Sequence, residues 1–347
     1  MGTKPHYSRE YRVAPEDDRW HERTDSPYWN ESSWLNVMIP ELNINGFIWF
    51  YHRPNMKLSA GGVGLWDGNG RETYDCLYYA YDEHQPLPEG ADVYDFSLAN
   101  GLTVETIDPL NKYHFRFVNE GIDLDLTWTA MTEPQWMQPP PSEQDLAINP
   151  AAREWAPSHY DQFGHMQGTI QVEGKTLEVN AWSQRDRSWG PRTLTFDFPR
   201  LSWGWATIDE NNAFMAFAVS RRKNQDEVLV DEIQEVVAGV YIKDGLIGHL
   251  DSGTLEFTER ADDLRPLEQT IRATDEHGRS FEAVGKYQNH LAWHGYSNVL
   301  FGWWGLTSWQ FEGQQVWGEA WENYTFRQTS RLFREHRRRS GLASRPV

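Results

Sequence analysis

The stretch Arg185-Asp186-Arg187-Ser188-Trp189-Gly190-Pro191-Arg192 holds a carboxylate, three guanidinium groups and an indole. A plain surface turn needs no such mixture. In an extended strand alternate residues share a face. Trp182, Gln184, Asp186 and Ser188 then point one way, and Arg185, Arg187 and Trp189 the other. If the first face lines a barrel interior, burial beside an indole raises the Asp186 pKa and keeps a proton ready for donation. If the arginines fold round to it, the pKa falls and Asp186 becomes a structural ion-pair partner.

Other residues could serve the same chemistry. Tyr160, Asp161 and His165 form a polar cluster just upstream. His165 shares a strand face with Gln167 and Thr169; it is either a proton relay near neutral pH or a hydrogen-bonded wall residue. Trp203 and Trp205 share a face with Leu201, while Gly204 leaves the opposite face flat for close approach. With Trp189 they form an aromatic set that could hold an apolar substrate and stabilise a cation, or simply fill a core. His290, His294 and Tyr296 alternate along a strand-like segment. Neither a His-Glu-x-x-His pattern nor paired cysteines accompany them, so no metal is expected. Glu319 and Trp321 share another face, and Glu319 is either a second acid or base or a partner for an arginine such as Arg185 or Arg192.

Familiar catalytic signatures are missing. The chain has no Gly-x-Ser-x-Gly elbow, no phosphate loop ending in Gly-Lys-Ser/Thr, and no dinucleotide turn between strand and helix. Gly61-Gly62-Val63-Gly64 lies in a β context and reads as a turn or bulge. The net charge of −19 excludes a basic nucleic-acid footprint and suits docking on anionic lipid poorly. One cysteine, Cys76, rules out an intrachain disulfide and is compatible with a reducing cytoplasm. The first residues lack a signal-peptide core, and no apolar run reaches the roughly 20 residues of a membrane span. Eighteen Trp, fifteen Tyr and sixteen Phe provide ample apolar surface.

The elements that would position these groups are strands. An N-terminal arm, 1–30, either lies across a barrel mouth or caps its end. Strand-like segments then recur over 31–131, with Gly- and Asn-rich turns such as Asp67-Gly68-Asn69-Gly70 and Asn100-Gly101 between them. Residues 132–157, with Pro139-Pro140-Pro141, read as a linker. A second β domain follows over 158–328. It opens on a hairpin turning at Glu173-Gly174-Lys175, and a basic helix or solvated tail, 329–347, ends the chain.

Gly168, Gly174, Val179, Asp186, Trp189 and Gly190 carry a resemblance. Their order, a glycine-punctuated hairpin followed by Asp-x-x-Trp-Gly, resembles the lipocalin-like carotenoid 1,2-hydratases (hydroxyneurosporene synthases). Kievitone hydratase and the lipocalin-type Diels–Alderases belong to the same group. The longer string Arg185 to Arg192 is similar to an uncharacterised two-domain branch of it. Arg187 departs from the pattern, in which a His commonly follows the Asp. The resemblance implies an all-β fold of two lipocalin-like antiparallel barrels or sandwiches with an apolar pocket at or near their junction. It also implies chemistry without a cofactor on a small hydrophobic, isoprenoid- or polycycle-type substrate. Asp186 would donate a proton for alkene hydration, dehydration or cyclisation. Tyr160 and His165 would orient water, while Trp189, Arg192, Trp203, Trp205, His294, Tyr296, Glu319 and Trp321 line the substrate. The alternative is a carrier of small hydrophobic molecules. A cytoplasmic protein with no nucleic acid and no membrane span is expected, and a homo-oligomer is left open.

Overall fold

The alternation of apolar and polar residues becomes strand along most of the chain. The computed structural model describes residues 12–138, 147, 158–192, 200–220, 232–295 and 299–341. The first half forms β1 (Trp29–Ile39), β2 (Ile44–Arg53), β3 (Leu58–Trp66), β4 (Tyr78–Pro86), β5 (Phe96–Ser97), β6 (Leu102–Asp108), β7 (Lys112–Asn119) and β8 (Ile122–Ala130). Then come β9 (Gln135–Gln138), β10 (Ser158–Val172) and β11 (Lys175–Pro191). The second half forms β12 (Arg200–Asp209), β13 (Asn212–Ser220), β14 (Ile233–Lys243), β15 (Leu246–Arg260) and β16 (Pro266–Asp275). It continues with β17 (Ser280–Tyr287), β18 (Leu291–Gly295), β19 (Leu300–Phe311), β20 (Gln314–Thr325) and a C-terminal helix, Phe326–Arg339.

The residues divide into two compact units. One carries β1, most of β2 and β3, and β4 to β11; the other carries 40–45, 66–77, β12 to β20 and the helix. The first sheet runs β4-β3-β2-β1-β11-β10-β8-β7-β6-β5, with β9 paired to β10, and forms a half-barrel. The hairpin expected to open the second domain therefore sits in the middle of the first sheet, between β1 and β8. The reason is hydrogen bonding: β10 and β11 leave both outer edges open, and β1 and β8 satisfy them in register, as in Trp34 opposite Asp186 and Met166 opposite Trp128. The expected linker contains β9, while Pro139-Pro140-Pro141 lie outside the described residues. Gly61-Gly62-Val63-Gly64 is part of β3, with a register shift against β4 between Ser59 and Gly61.

Alternation decides what this unit buries. Tyr113, Phe115 and Phe117 of β7 and Leu124, Leu126 and Trp128 of β8 face one interior, and the residues between them are exposed or half-buried. β1 is buried along its whole length, so both of its faces are covered. Gly164 of β10 faces the interior under Trp128: a Cβ there would meet the indole ring at 2.3 Å. Gly164→Ala should therefore cost about 1–3 kcal/mol by overpacking, read as a lower urea midpoint at unchanged slope.

The second sheet closes on itself. β12 pairs with β20 and β17 with β19, so β12 to β17 with β19 and β20 make an antiparallel barrel. Its lumen is filled by side chains that include Phe214, Tyr241, Phe257, Phe281, Trp309 and Phe311. Gly204 faces this core, and a Cβ there would meet Trp309 at 2.9 Å. The C-terminal segment is a packed helix and not a solvated tail. Its Leu332 is buried in a cluster with Ala292, Phe301, Trp303 and Tyr324. Among the described residues, no helix is long and apolar enough to cross a membrane.

Candidate active site

The residues around Asp186 sort onto the two faces of β11. The guanidinium groups of Arg185 and Arg187 point into the first unit's interior, where both are fully buried. Arg185 donates to Asp18 Oδ1 at 2.9 Å and to Gln162 Oε1 at 2.8 Å. The rings of Tyr94, Tyr113, Trp128 and Tyr160 surround it, with centroids 4.7–5.5 Å away. Asp18 comes from a short 3-10 turn, Pro15–Asp18. The N-terminal arm thus carries a carboxylate into the half-barrel's interior. Tyr113 and Tyr160 also donate to that carboxylate. Burial alone would raise the Asp18 pKa, but Arg185 and the two phenols outweigh it and hold it below the usual range. Arg187 is bound likewise by Glu31, at 2.6 Å. Glu31 further accepts from Trp29 Nε1 at 3.1 Å and meets His21 Nδ1 at 3.2 Å, and the His21 ring stacks on Trp189 at 3.8 Å.

The opposite face of β11 is polar and different in kind. Asp186 lies directly across from Asp161 on β10 and from Trp34 on β1. Trp34 donates its backbone N–H to Asp186 Oδ1 at 3.2 Å. His159, two residues before Asp161 on β10, shares their face. Its Nε2 lies 3.4 Å from Asp161 Oδ2 and 3.6 Å from Asp186 Oδ2. Those spacings are longer than a hydrogen bond. The Asp186 carboxyl is pushed up to about 6, chiefly by burial, with His159 pulling the other way and Asp161 adding to the rise. Burial opposes protonation of His159, but the two carboxylates outweigh it and raise its pKa. Arg192 acts on both groups and donates to Ser188 Oγ at 2.7 Å. Asp161 is 3 % exposed and its Oδ1 has no hydrogen-bond partner; His159 and Asp186 keep 27 % and 20 % of their side chains accessible. One donor atom from each of the three lies within 4.8 Å of the others, close enough to share a metal ion.

The other expected site residues distribute as follows. Tyr160 and Trp189 face the interior with Asp18 and Arg187, away from Asp186, because both occupy the alternate face of their strands. Trp189 packs there with Trp29, Trp136 and Tyr160. His165 is on the Asp161 face of β10 but four residues further along, about 13 Å at strand rise. It lies edge-on to Trp182 at 5.1 Å. In the second unit Trp203, Trp205, Glu319 and Trp321 do come together, outside the barrel lumen. Trp203 meets Trp321 edge-on at 4.6 Å, and Trp321 stacks on Trp304 at 4.4 Å. Glu319 lies directly across from Trp205 and accepts from Asn45 Nδ2 at 2.6 Å. Its expected arginine partners, Arg185 and Arg192, are engaged elsewhere. His294 is not in this set. It sits 3.9 Å from Glu72 and against Phe301, by the C-terminal helix. Tyr296 lies outside the described residues.

Sequence reasoning passed over His159, Asp18 and Glu31. For His159 the signal was present, since residues 159 and 161 must share a strand face. For Asp18 and Glu31 nothing local marks them. A further buried ion network lies in the second unit, where Glu322 binds Arg200 at 2.5 Å and Arg260 at 2.7 Å and accepts from Tyr324 at 2.7 Å. It borders a cavity of about 210 Å³ between the barrel and the C-terminal helix.

The fold has counterparts among solved structures. A protein of Nitrosomonas europaea provisionally named AttH matches with a TM-score of 0.58 at 16 % identity, over 92 % of this chain and 98 % of that one. Kievitone hydratase from Nectria haematococca matches with a TM-score of 0.52 at 12 % identity, over 90 % and 93 %. CghA matches with a TM-score of 0.52 at 10 % identity, over 86 % and 88 %. At these identities the likeness speaks to the fold alone. No curated protein matches the chain. Residues 14–324 match one family, described as a domain of unknown function (DUF7064), and the chain belongs to that family.

Proposed function

We propose that this protein is an enzyme of the hydratase or cyclase kind, acting on a small hydrophobic substrate of isoprenoid or polycyclic type without a cofactor. The observation that carries the reading is the Asp186 carboxyl. It is largely buried, its pKa is pushed up to about 6, and an imidazole stands 3.6 Å away. A carboxylic acid tuned toward neutrality is a competent general acid. In a hydration, the alkene π electrons form the new C–H bond as the Asp186 O–H bond breaks. Water adds to the resulting cation and returns a proton to the Asp186 carboxylate. A cyclisation begins with the same protonation, and a dehydration runs the sequence in reverse. His159, and not Tyr160, stands where it could accept or relay that proton.

The name of kievitone hydratase favours hydration over other outcomes by analogy of fold. The carrier reading receives less support, because the closed barrel's lumen is already filled by its own aromatic side chains. The test starts with native mass spectrometry of freshly purified protein, to identify a co-purifying hydrophobic molecule. With that molecule as substrate, Asp186→Asn should lose about 10²–10⁴-fold in turnover, while Asp186→Glu keeps part of it. Full turnover by Asp186→Asn ends the proposal.

A further inference from the structure

We infer that His159, Asp161 and Asp186 together form a binding site for a divalent transition-metal ion of the zinc class. The three side chains come from adjacent strands in direct register, so backbone hydrogen bonds hold their Cβ atoms in place. Their donor atoms converge at ion-pair distance, longer than a short hydrogen bond: 3.4 Å and 3.6 Å separate the imidazole Nε2 from the two carboxylate oxygens. Ligand atoms about 2.1 Å from a tetrahedral zinc ion stand about 3.4 Å apart; the two imidazole–carboxylate spacings match this, and all three donors lie within 4.8 Å of one another.

A second observation points to a ligand. Asp161 is 3 % exposed, and its Oδ1 has no hydrogen-bond partner. A buried carboxylate oxygen left unbonded costs free energy that a bound cation would recover. The partial exposure of His159 and Asp186 provides an entry path. One imidazole and two carboxylates suit zinc, which accepts nitrogen and oxygen donors and tolerates an open fourth position for water. Arg192 is the opposing charge, and its anchor on Ser188 keeps it beside the three donors. This assignment goes beyond the acid role of Asp186 and, where that role holds, adds a control to it. Zinc and the catalytic proton claim the same carboxylate, so an occupied site is an inactive one.

The test is isothermal titration of the full chain with zinc chloride at pH 7, for wild type, Asp161→Asn and His159→Gln, with circular dichroism to verify folding. Wild type should take up one zinc ion per chain, and each variant should bind at least tenfold more weakly. Asp161→Asn is isosteric, so a folded variant is expected even if His159→Gln misfolds. Absence of saturable uptake by wild type overturns the inference. So does equal affinity in the variants, which would move the ion to another group such as His114 with Glu105 and Asp125. Because zinc uptake is read without substrate, its failure leaves the Asp186 acid reading standing. Loss of that reading through an active Asp186→Asn enzyme leaves the metal site standing.

Discussion

Asp18→Ala will destabilise the first unit by about 3–5 kcal/mol, the range for breaking one partner out of a buried ion pair. The substitution removes a carboxylate that accepts from Arg185, Tyr113, Tyr160 and the Leu110 backbone at once. Arg185 would keep Gln162 and its ring of aromatic faces, but its charge would have no counter-charge in direct contact. The two phenols would lose their acceptor as well. The effect should exceed that of any exposed ion pair, for instance Arg116 with Asp123, worth about 0–1 kcal/mol. Urea unfolding of Asp18→Ala, of Arg185→Met and of the double variant measures it. The double variant should lose clearly less than the sum of the singles, because removing both charges leaves neither stranded. A single variant within about 0.5 kcal/mol of wild type would show that the arm's carboxylate does not hold this interior together. That result would be the size of an ordinary surface substitution.

Acid should weaken the protein well above the pH at which carboxylates titrate. Burial pushes the pKa of His290 down to about 4, and its ring stacks on Tyr287 and bonds to the Pro266 carbonyl at 2.6 Å. The unfolded chain takes up the proton near pH 6.5 while the folded one refuses it. The stability contribution is therefore complete above 6.5 and falls away as the pH drops toward 4. The interval of about 2.5 pH units corresponds to about 3 kcal/mol. His52, in the first unit, is pushed down to about 4 by the same cause. There Asp186 works in the opposite sense. Its raised pKa costs stability at neutral pH and is relieved as the pH falls through about 6. The second unit should thus be the more acid-sensitive. Urea unfolding at pH 7 and pH 4.5 tests this, with His290→Gln keeping a donor that cannot be charged. Between these two pH values the variant should show a pH dependence about 2 kcal/mol flatter than wild type. An unchanged slope would mean that the imidazole takes up its proton in the folded protein at the same pH as in the unfolded chain.

Much of the architecture was legible in the chain. Alternating runs such as Lys112–Asn119 and Ile122–Ala130, separated by Asn119-Glu120-Gly121, could only be antiparallel strands, and they are. The Asp-x-x-Trp-Gly string pointed, from few residues, to a fold that kievitone hydratase and CghA share. The faces of β11 were legible only as a division. Period two requires that Asp186 and Arg185 point oppositely, but no local feature states which face is interior. Expectation placed the acid inward. The structure turns the arginines inward, because the arm's Asp18 and the Glu31 of β1 supply buried carboxylates for them. A buried guanidinium is tolerable only with such partners, and those partners lie 167 and 156 residues away in sequence. Equally distant partners explain why the hairpin, expected to open the second domain, lies in the first unit. A strand's neighbours are chosen by hydrogen-bond edges that composition does not record.

The residue order by itself determined the elements: strand periodicity, turn positions, the absence of paired cysteines, and the set of side chains able to move a proton. Tertiary structure alone decided the company those side chains keep. Asp186 meets His159 and Asp161 because β10 and β11 pair in one register, and a slip of one residue would have given it Tyr160 instead. Local propensity is a property of neighbouring residues. A site is a property of which edges and charges the folded chain can satisfy at the same time.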